Sequence, residues 1–233
     1  MLVVALGIDS AGEKTVLGLR QGATENSEVC TSLLADLVGK GIASNVATLF
    51  VIDGSKALVK AIKSVFGRFA VIQRCQVHKK RNVLAHVSEK HADELKKRLS
   101  NAYNADDYND ALKSLKNTAA WLNNISPDAA NSLREGMEET ITVLKLELPE
   151  LLRQSLPSTN IIESALSVAR KVTSRVKRWQ GGDMRKRWCL TGLLRAQEGF
   201  QKIKGASSLL ILTRALDKLV PSVNTIDLMK KAA

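Results

Sequence analysis

The chain opens with two short apolar runs and one amphipathic segment. Residues 2–9 and 14–22 are rich in β-branched and aliphatic side chains. The connection between the two runs has Asp9 at the first position and Gly12 at the fourth position of a turn, as a type I turn favours. This pattern predicts a β-hairpin. Apolar residues at helical spacing then predict a helix over residues 25–42.

Two further apolar runs and an intervening amphipathic segment complete the first third of the chain. Residues 48–53 and 70–76 read as strands because they are short and mostly apolar, and residues 55–66 read as a helix between them. Strands that alternate with helices indicate a mixed α/β fold.

From residue 78 onward, strand signals give way to amphipathic helices. The predicted helices cover residues 88–103, 106–124, 127–148 and 160–178, then a segment through Trp188 to residue 202 and one further helix in the tail. The first three form a net acidic block that resembles an insertion. We therefore divide the chain into residues 1–87, 88–157 and 158–233.

Basic residues outnumber acidic ones, and the excess is concentrated in two stretches. The formal net charge is +12. Residues 68–100 contain nine Lys/Arg against three Asp/Glu, and residues 158–233 contain fifteen against five. Such segregation is typical of nucleic-acid-binding proteins, although well-solvated helices also carry Lys/Arg runs. The sequence therefore predicts a polyanionic partner.

Hydropathy and cysteine content indicate the compartment. No apolar run approaches the roughly 18 residues that span a bilayer, and the first residues lack a basic leader. The three cysteines are too few and too scattered for a disulfide framework. We expect a cytoplasmic protein with no membrane partner.

Trp179 and Trp188 lie among basic residues. Such a mixture suits DNA binding, because the indole rings can stack on bases while the cations hold the phosphates. Alternatively, the two tryptophans anchor the core beneath a solvated basic loop, and for Trp188 we favour this interpretation. The predicted DNA-contacting residues are Lys79, Lys80, Arg81, Arg170, Lys171, Arg175, Lys177, Arg178, Trp179, Arg185, Lys186 and Arg187.

Two acids are candidate catalytic groups, and each also has a structural interpretation. Asp53 follows an apolar run, where strand ends commonly carry active groups, but it could equally cap the helix that follows. Glu163 lies three residues after Asn160, which fits a capping box. It also begins a helical face of small and basic residues, which would suit a metal-bound carboxylate beside phosphate-binding arginines.

Cys75 and His78 form a Cys-x-x-His pair at the end of a predicted strand. A zinc site needs two more ligands, and His86 and His91 complete no recognisable four-ligand pattern, so the sequence disfavours zinc. The basic residues that follow can hold phosphates at a helix start. Phosphate-binding glycine loops and nucleophile-elbow motifs are absent from the sequence.

Four segments together resemble the mutator-like insertion-sequence transposases of bacteria. They are LVVALGIDSAGEKTVLGLRQGATEN, LFVIDGSKAL, VIQRCQVHKKRNV and STNIIESALS, in order and at plausible spacing. The resemblance implies a ribonuclease H-like mixed sheet with an inserted all-helical domain. It also implies an Asp, Asp, Glu triad that cuts and joins DNA ends.

The resemblance assigns roles by position. Asp53 matches the family's second catalytic Asp and Glu163 its Glu, and both would bind Mg²⁺ or Mn²⁺. Cys75 and His78 match its Cys-x-x-His signature, and Arg81 and Asn82 match the residues after it. The implied partners are insertion-sequence ends and target DNA, bound by a homo-oligomer, with the protein associated with the bacterial nucleoid when bound.

The front of the chain departs from the family pattern. By the family pattern, we expect the strand that carries the first catalytic Asp to be missing, and Asp9, which we place in a turn, does not replace it. We therefore expect an N-terminally truncated transposase core that lacks the first catalytic Asp. The leading hypothesis is a transposase catalytic segment for metal-dependent DNA cleavage and strand transfer. The alternative is an inactive fragment that binds DNA or a full-length partner, and a third possibility is a structural DNA-coating protein.

Overall fold

The computed structural model describes residues 2–22, 26–178 and 181–221, which fall into two compact units. The first unit combines the described residues within Met1–Thr48, Lys56–Ala70 and Asn160–Ala233. The second combines Leu49–Ser55 with Val71–Thr159.

Four strands and ten α-helices form within these residues, so the predicted mixed α/β class is confirmed. The strands are β1 (Leu2–Ile8), β2 (Lys14–Gln21), β3 (Thr48–Ile52) and β4 (Ala70–Arg74). The helices are α1 (Ser27–Gly39), α2 (Lys56–Phe66), α3 (Gln76–Leu84), α4 (Glu89–Tyr103), α5 (Tyr108–Asn123), α6 (Pro127–Arg134), α7 (Glu150–Ser155), α8 (Asn160–Thr173), α9 (Gly182–Gln197) and α10 (Leu209–Leu219). Short 3₁₀ segments cover Gly67–Phe69, Glu138–Leu146 and Ala206–Ser208.

The opening hairpin forms as predicted. Strands β1 and β2 pair antiparallel from Leu2 opposite Gln21 to Ile8 opposite Lys14, with one irregularity in the register. The Asp9 carboxylate closes the turn, because its Oδ1 accepts hydrogen bonds from two backbone amides further along the turn, each at 2.9 Å. The predicted turn role of Asp9 is therefore confirmed.

The core of the first unit lies on both faces of strand β2. Gly18 leaves room for α1, since a Cβ built there would lie 3.3 Å from Leu33 Cδ1. The neighbouring Leu19 points to the opposite face and packs into a buried cluster from α8 and α9: Ala165, Ala169, Cys189, Leu193 and Ala196. Small residues dominate this cluster, so the two helices approach closely.

The second unit pairs strands β3 and β4 and contains a helical core. That core is built mainly from α3 to α6 and the following 3₁₀ segment. Its fully buried leucine and isoleucine side chains are Leu95, Leu99, Leu115, Leu122, Leu133 and Ile141. Ser126 begins α6 as predicted, with its side chain accepting the Ala129 amide and Pro127 at the first helical position.

Two predicted helices end early. The helix over 127–148 is interrupted after Arg134, because Gly136 adopts a φ of +60° and the chain continues as a 3₁₀ segment. The helix over 160–178 ends at Thr173. There the Thr173 and Ser174 hydroxyls donate to the carbonyls of Arg170 and Lys171, a side-chain competition that weakens helices.

Two smaller differences concern segment boundaries. Strand β4 ends at Arg74, two residues earlier than predicted, because α3 begins at Gln76. Helix α7 was not predicted; it begins directly after Pro149. Within the described ranges, every helix is too short or too polar to cross a membrane.

Candidate functional site

Asp53 directly follows β3 and presents an exposed carboxylate. Its Oδ1 accepts a hydrogen bond from the Ser55 amide at 3.1 Å. The carboxylate therefore closes a tight turn before α2 begins at Lys56, rather than capping the first turn of that helix. Gly54 supplies a left-handed φ of +101° within the turn.

The Asp53 turn lies beside the start of α3. The Cys75 amide donates to the Ile52 carbonyl at 2.7 Å, which joins the residue after β4 to the last residue of β3. Both segments therefore meet at one edge of the β3–β4 pair. The structure thus brings together Asp53 and Cys75, two of the residues that the sequence analysis selected.

Cys75 and His78 both contact Thr159. The Thr159 amide donates to the Cys75 sulfur at 3.4 Å, and the Thr159 hydroxyl lies 3.2 Å from His78 Nδ1. The Gln76 amide also donates to the Pro157 carbonyl at 2.9 Å. The Cys-x-x-His pair therefore anchors the segment that leads into α8. Sequence reasoning missed Thr159, although it lies within the STNIIES segment.

Glu163 occupies the first turn of α8 and is half-buried. The helix begins at Asn160, so Asn160 is its first residue and Thr159 precedes it. This differs from the capping-box interpretation, in which Asn160 precedes the helix. Glu163 belongs to the first unit, whereas Asp53, Cys75 and His78 belong to the second.

The structure corrects one member of the predicted DNA-contacting set, because Lys79 is buried. Its side chain is only 6% exposed, and Nζ donates to the carbonyls of Ser132 and Glu135 at 2.6 Å each. Burial lowers the pKa of Lys79, and the nearby Glu135 carboxylate opposes this shift. Lys79 therefore stabilises the end of α6 rather than forming part of an exposed basic surface.

The other basic residues of α3 differ in exposure. Lys80 is half-buried and donates to the Ser100 hydroxyl at 3.1 Å, with its Nζ 5.4 Å from the centre of the Tyr103 ring. Burial lowers the pKa of Lys80. Arg81 and Asn82 are exposed. Only part of the predicted basic start of α3 can therefore meet a large ligand directly.

The basic residues after α7 are mostly exposed within the first unit. Those with exposed side chains are Arg170, Lys171, Arg175, Lys177, Arg178, Arg185 and Arg187, while Lys186 is half-buried. Because α8 ends at Thr173, the cations at 175, 177 and 178 lie on the connection to α9 and not on a helical face. We call this set the α8–α9 basic surface.

The two tryptophans have different outcomes. Trp179 lies outside the described residues. Trp188 is 38% exposed, so the interpretation of Trp188 as a core anchor is wrong. The buried positions of α9 are instead held by smaller side chains such as Cys189 and Leu193.

Comparison with known proteins identifies the family. The family model described as Transposase, Mutator family matches residues 1–183, a range that includes Asp53, the Cys75–His78 pair and Glu163. The chain therefore belongs to the Mutator family of transposases.

Individual relatives agree with the family match. The transposase for insertion sequence element ISRM5 of Rhizobium meliloti is 32% identical over 179 residues, covering 76% of this chain and 43% of that relative. The transposase for IS905 of Lactococcus lactis is 29% identical over 174 residues, covering 74% and 42%. The transposase for IS6120 of Mycolicibacterium smegmatis is 28% identical over 176 residues, covering 76% and 53%. The chain thus spans about half the length of these relatives.

Proposed function

We propose that this chain forms part of a transposase catalytic core that cuts insertion-sequence ends and joins them to target DNA by metal-dependent phosphoryl transfer. The observation that carries the proposal is the family match, which extends across both candidate acids and the signature between them. The proposed fold is ribonuclease H-like with an inserted helical domain. It is supported by the order of hairpin, helix, strand, helix and strand, followed by a run of helices.

Asp53 and Glu163 are the proposed metal ligands. Mg²⁺ and Mn²⁺ prefer oxygen ligands, so carboxylates suit them. Asp53 fits this role because its carboxylate is exposed while Oδ1 is fixed by the Ser55 amide. Bound divalent ions would activate the attacking oxygen and stabilise the leaving oxygen of the phosphodiester. The two carboxylates would orient those ions.

Cys75 and His78 have a proposed structural role in this mechanism. Their contacts to Thr159 fix the residue immediately before α8. Glu163 follows four residues later, within the first turn of that helix. We infer that this anchor fixes the end of the second unit at Thr159, the residue before the helix that carries Glu163.

The α8–α9 basic surface is the proposed DNA-binding site. Exposed Lys and Arg side chains hold phosphates without reading sequence.

The α8–α9 basic surface also supports a second candidate function, a DNA-binding fragment that does not cut DNA. Both functions predict salt-sensitive affinity for a short fluorescent duplex. If about six phosphates are contacted, affinity should fall roughly 10³-fold between about 50 and 200 mM salt. Constant affinity over this range would contradict the electrostatic argument.

A Mn²⁺ titration of the full chain, followed by thermal unfolding, separates the two functions. Bound metal raises the unfolding midpoint by mass action. The catalytic proposal predicts that Asp53→Asn and Glu163→Gln each weaken Mn²⁺ binding about tenfold or more. The DNA-binding fragment predicts no dependence on either acid.

The chain offers a matched control for each substitution. Asp9→Asn also alters an acid that follows a strand and accepts backbone amides in a turn. Glu28→Gln also removes a charge from the first turn of a helix. Both controls should keep the wild-type Mn²⁺ affinity. Equal losses in the controls and the site variants would refute the assignment of Asp53 and Glu163.

A further inference from the structure

The guanidinium of Arg74 is buried beside the Asp53 turn, although the proposed reaction gives it no role. Arg74 is the last residue of β4 and is 7% exposed. Its Nε lies 2.6 Å from a Glu139 carboxylate oxygen, and its Nη1 lies 3.7 Å from a Glu135 carboxylate oxygen. Charge-assisted bonds of this kind fix both position and orientation, and removing one partner of a buried ion pair is costly.

The same side chain lies beside two glycines that adopt left-handed φ values. A Cβ built on Gly54 would lie 3.7 Å from both Cδ and Nη1 of Arg74. A Cβ built on Gly136 would lie 2.5 Å from Cζ and Nε. Gly136 therefore leaves space that the guanidinium fills. A Cβ at Gly54, the residue after Asp53, would only just meet the Arg74 side chain, so Arg74 borders the Asp53–Gly54 turn.

Neighbouring groups hold the other side of this cluster in place. Lys79 Nζ donates to the carbonyl of Glu135, whose carboxylate faces Arg74. The side chain of Gln73, which is fully buried, donates to the carbonyls of Arg74 and Thr140 at 2.7 Å each. The backbone of Arg74 and the segment that carries Glu139 are thus tied together, which leaves the guanidinium little freedom to move.

We propose that Arg74 is a positioning residue, which sets the Asp53–Gly54 turn and through it the direction of the Asp53 carboxylate. The Ser55 amide donates a hydrogen bond to the carboxylate, and the Arg74 side chain borders the turn at Gly54. Loss of the guanidinium would let Gly54 relax into the vacated space. The consequence for metal binding rests on the proposed function; the consequence for the turn does not.

The test uses the full chain with Arg74→Met, Arg74→Lys and Glu139→Gln. Two readouts are measured: the chemical shifts and hydrogen exchange of the Gly54 and Ser55 amides, and Mn²⁺ affinity. We expect faster exchange at Ser55 and about tenfold weaker Mn²⁺ binding for Arg74→Met and Glu139→Gln. Arg74→Lys should recover part of both effects, because it keeps the charge but reaches fewer acceptors.

Leu115→Val is the control for general destabilisation. It trims a fully buried side chain in the helical core of the same unit, so it should lower the unfolding midpoint without changing either readout. Asp53→Asn tests the metal site directly. If Arg74→Met does not fold, Glu139→Gln carries the comparison, because it removes the charge of one partner and keeps its shape.

The outcomes separate the two proposals. Unchanged Gly54 and Ser55 amides in the Arg74 and Glu139 variants overturn the positioning role. So does unchanged Mn²⁺ affinity in those variants when Asp53→Asn weakens it. If the amides respond but the wild-type chain binds no Mn²⁺, Arg74 positions the turn and the proposed metal-dependent function fails.

Discussion

The close approach of α8 and α9 predicts that Gly192→Ala destabilises the chain, against the usual preference of helices for alanine. In an exposed helix interior, this substitution stabilises by about 1 kcal/mol. Gly192 is buried, and a new Cβ would lie 2.7 Å from the Ala169 Cα and 3.0 Å from its Cβ. The nearest atom belongs to the backbone, so rotation of a side chain cannot relieve the clash.

The expected magnitude follows from the separation that the helices would need. Carbon atoms in favourable contact lie about 3.5 to 4.0 Å apart, so α8 and α9 must move apart by roughly 1 Å. Overpacking of this kind costs about 1 to 3 kcal/mol. The separation also weakens packing of Leu19 and Leu193 in the same cluster. After subtraction of the propensity gain, we expect a net loss of about 1 kcal/mol, and up to about 2.

Urea unfolding of the full chain, followed by circular dichroism, measures this loss. Gly39→Ala is the matched control, because Gly39 ends α1 and a Cβ there would meet nothing within 4 Å. It should be neutral or slightly stabilising. In the Gly192→Ala background, Ala169→Gly should show a favourable coupling, since it removes the Cβ at 3.0 Å. Stabilisation by Gly192→Ala equal to that by Gly39→Ala would refute the reasoning.

Two further predictions concern the second unit. Burial raises the pKa of Tyr103 to about 12, so the folded state keeps a proton that the unfolded state loses near its ordinary value of 10. Stability should fall as the pH rises from about 10 toward 12. Between about pH 9 and 11.5, the free energy of unfolding measured in urea should fall by about 2 kcal/mol less in Tyr103→Phe than in the wild-type chain. An identical pH dependence of the two proteins would contradict this. Gln73→Leu should cost about 2 to 4 kcal/mol, because the buried Gln73 amide group bonds Thr140 and Val143 of the backbone. The exposed Gln154→Leu should stay within about 0.5 kcal/mol in the same assay.

The parts of the fold that were predictable depend on neighbouring residues in the sequence. The hairpin forms because Asp9 and Gly12 supply the turn locally. The start of α6 follows equally from Ser126 and Pro127. The break after α6 was not predictable in this way. The apolar periodicity continues past Gly136. The left-handed backbone of Gly136 lies against the guanidinium of Arg74, and Arg74 is distant in sequence.

The candidate site divides in the same way. An acid after an apolar run identified Asp53, and the structure places it at the end of β3 as expected. The roles of Arg74 and Thr159 depend on contacts between distant segments, which spacing alone does not reveal. Residue type gave only a weak signal in both cases, since arginine at a strand end and threonine before a helix are ordinary features.

Counting charges in the sequence does not identify the lysines that are buried and bonded to backbone carbonyls, and such lysines do not contribute to a DNA-binding surface. Lys79 belongs to a basic run, yet its Nζ donates to two carbonyls at the end of α6. These carbonyls can accept the bonds because α6 ends before Gly136. A phosphate contact by Lys79 would require breaking both bonds inside a buried site. The salt dependence of DNA binding should therefore come from the α8–α9 basic surface. Lys79→Met should lower the free energy of unfolding while leaving the salt dependence of DNA affinity unchanged.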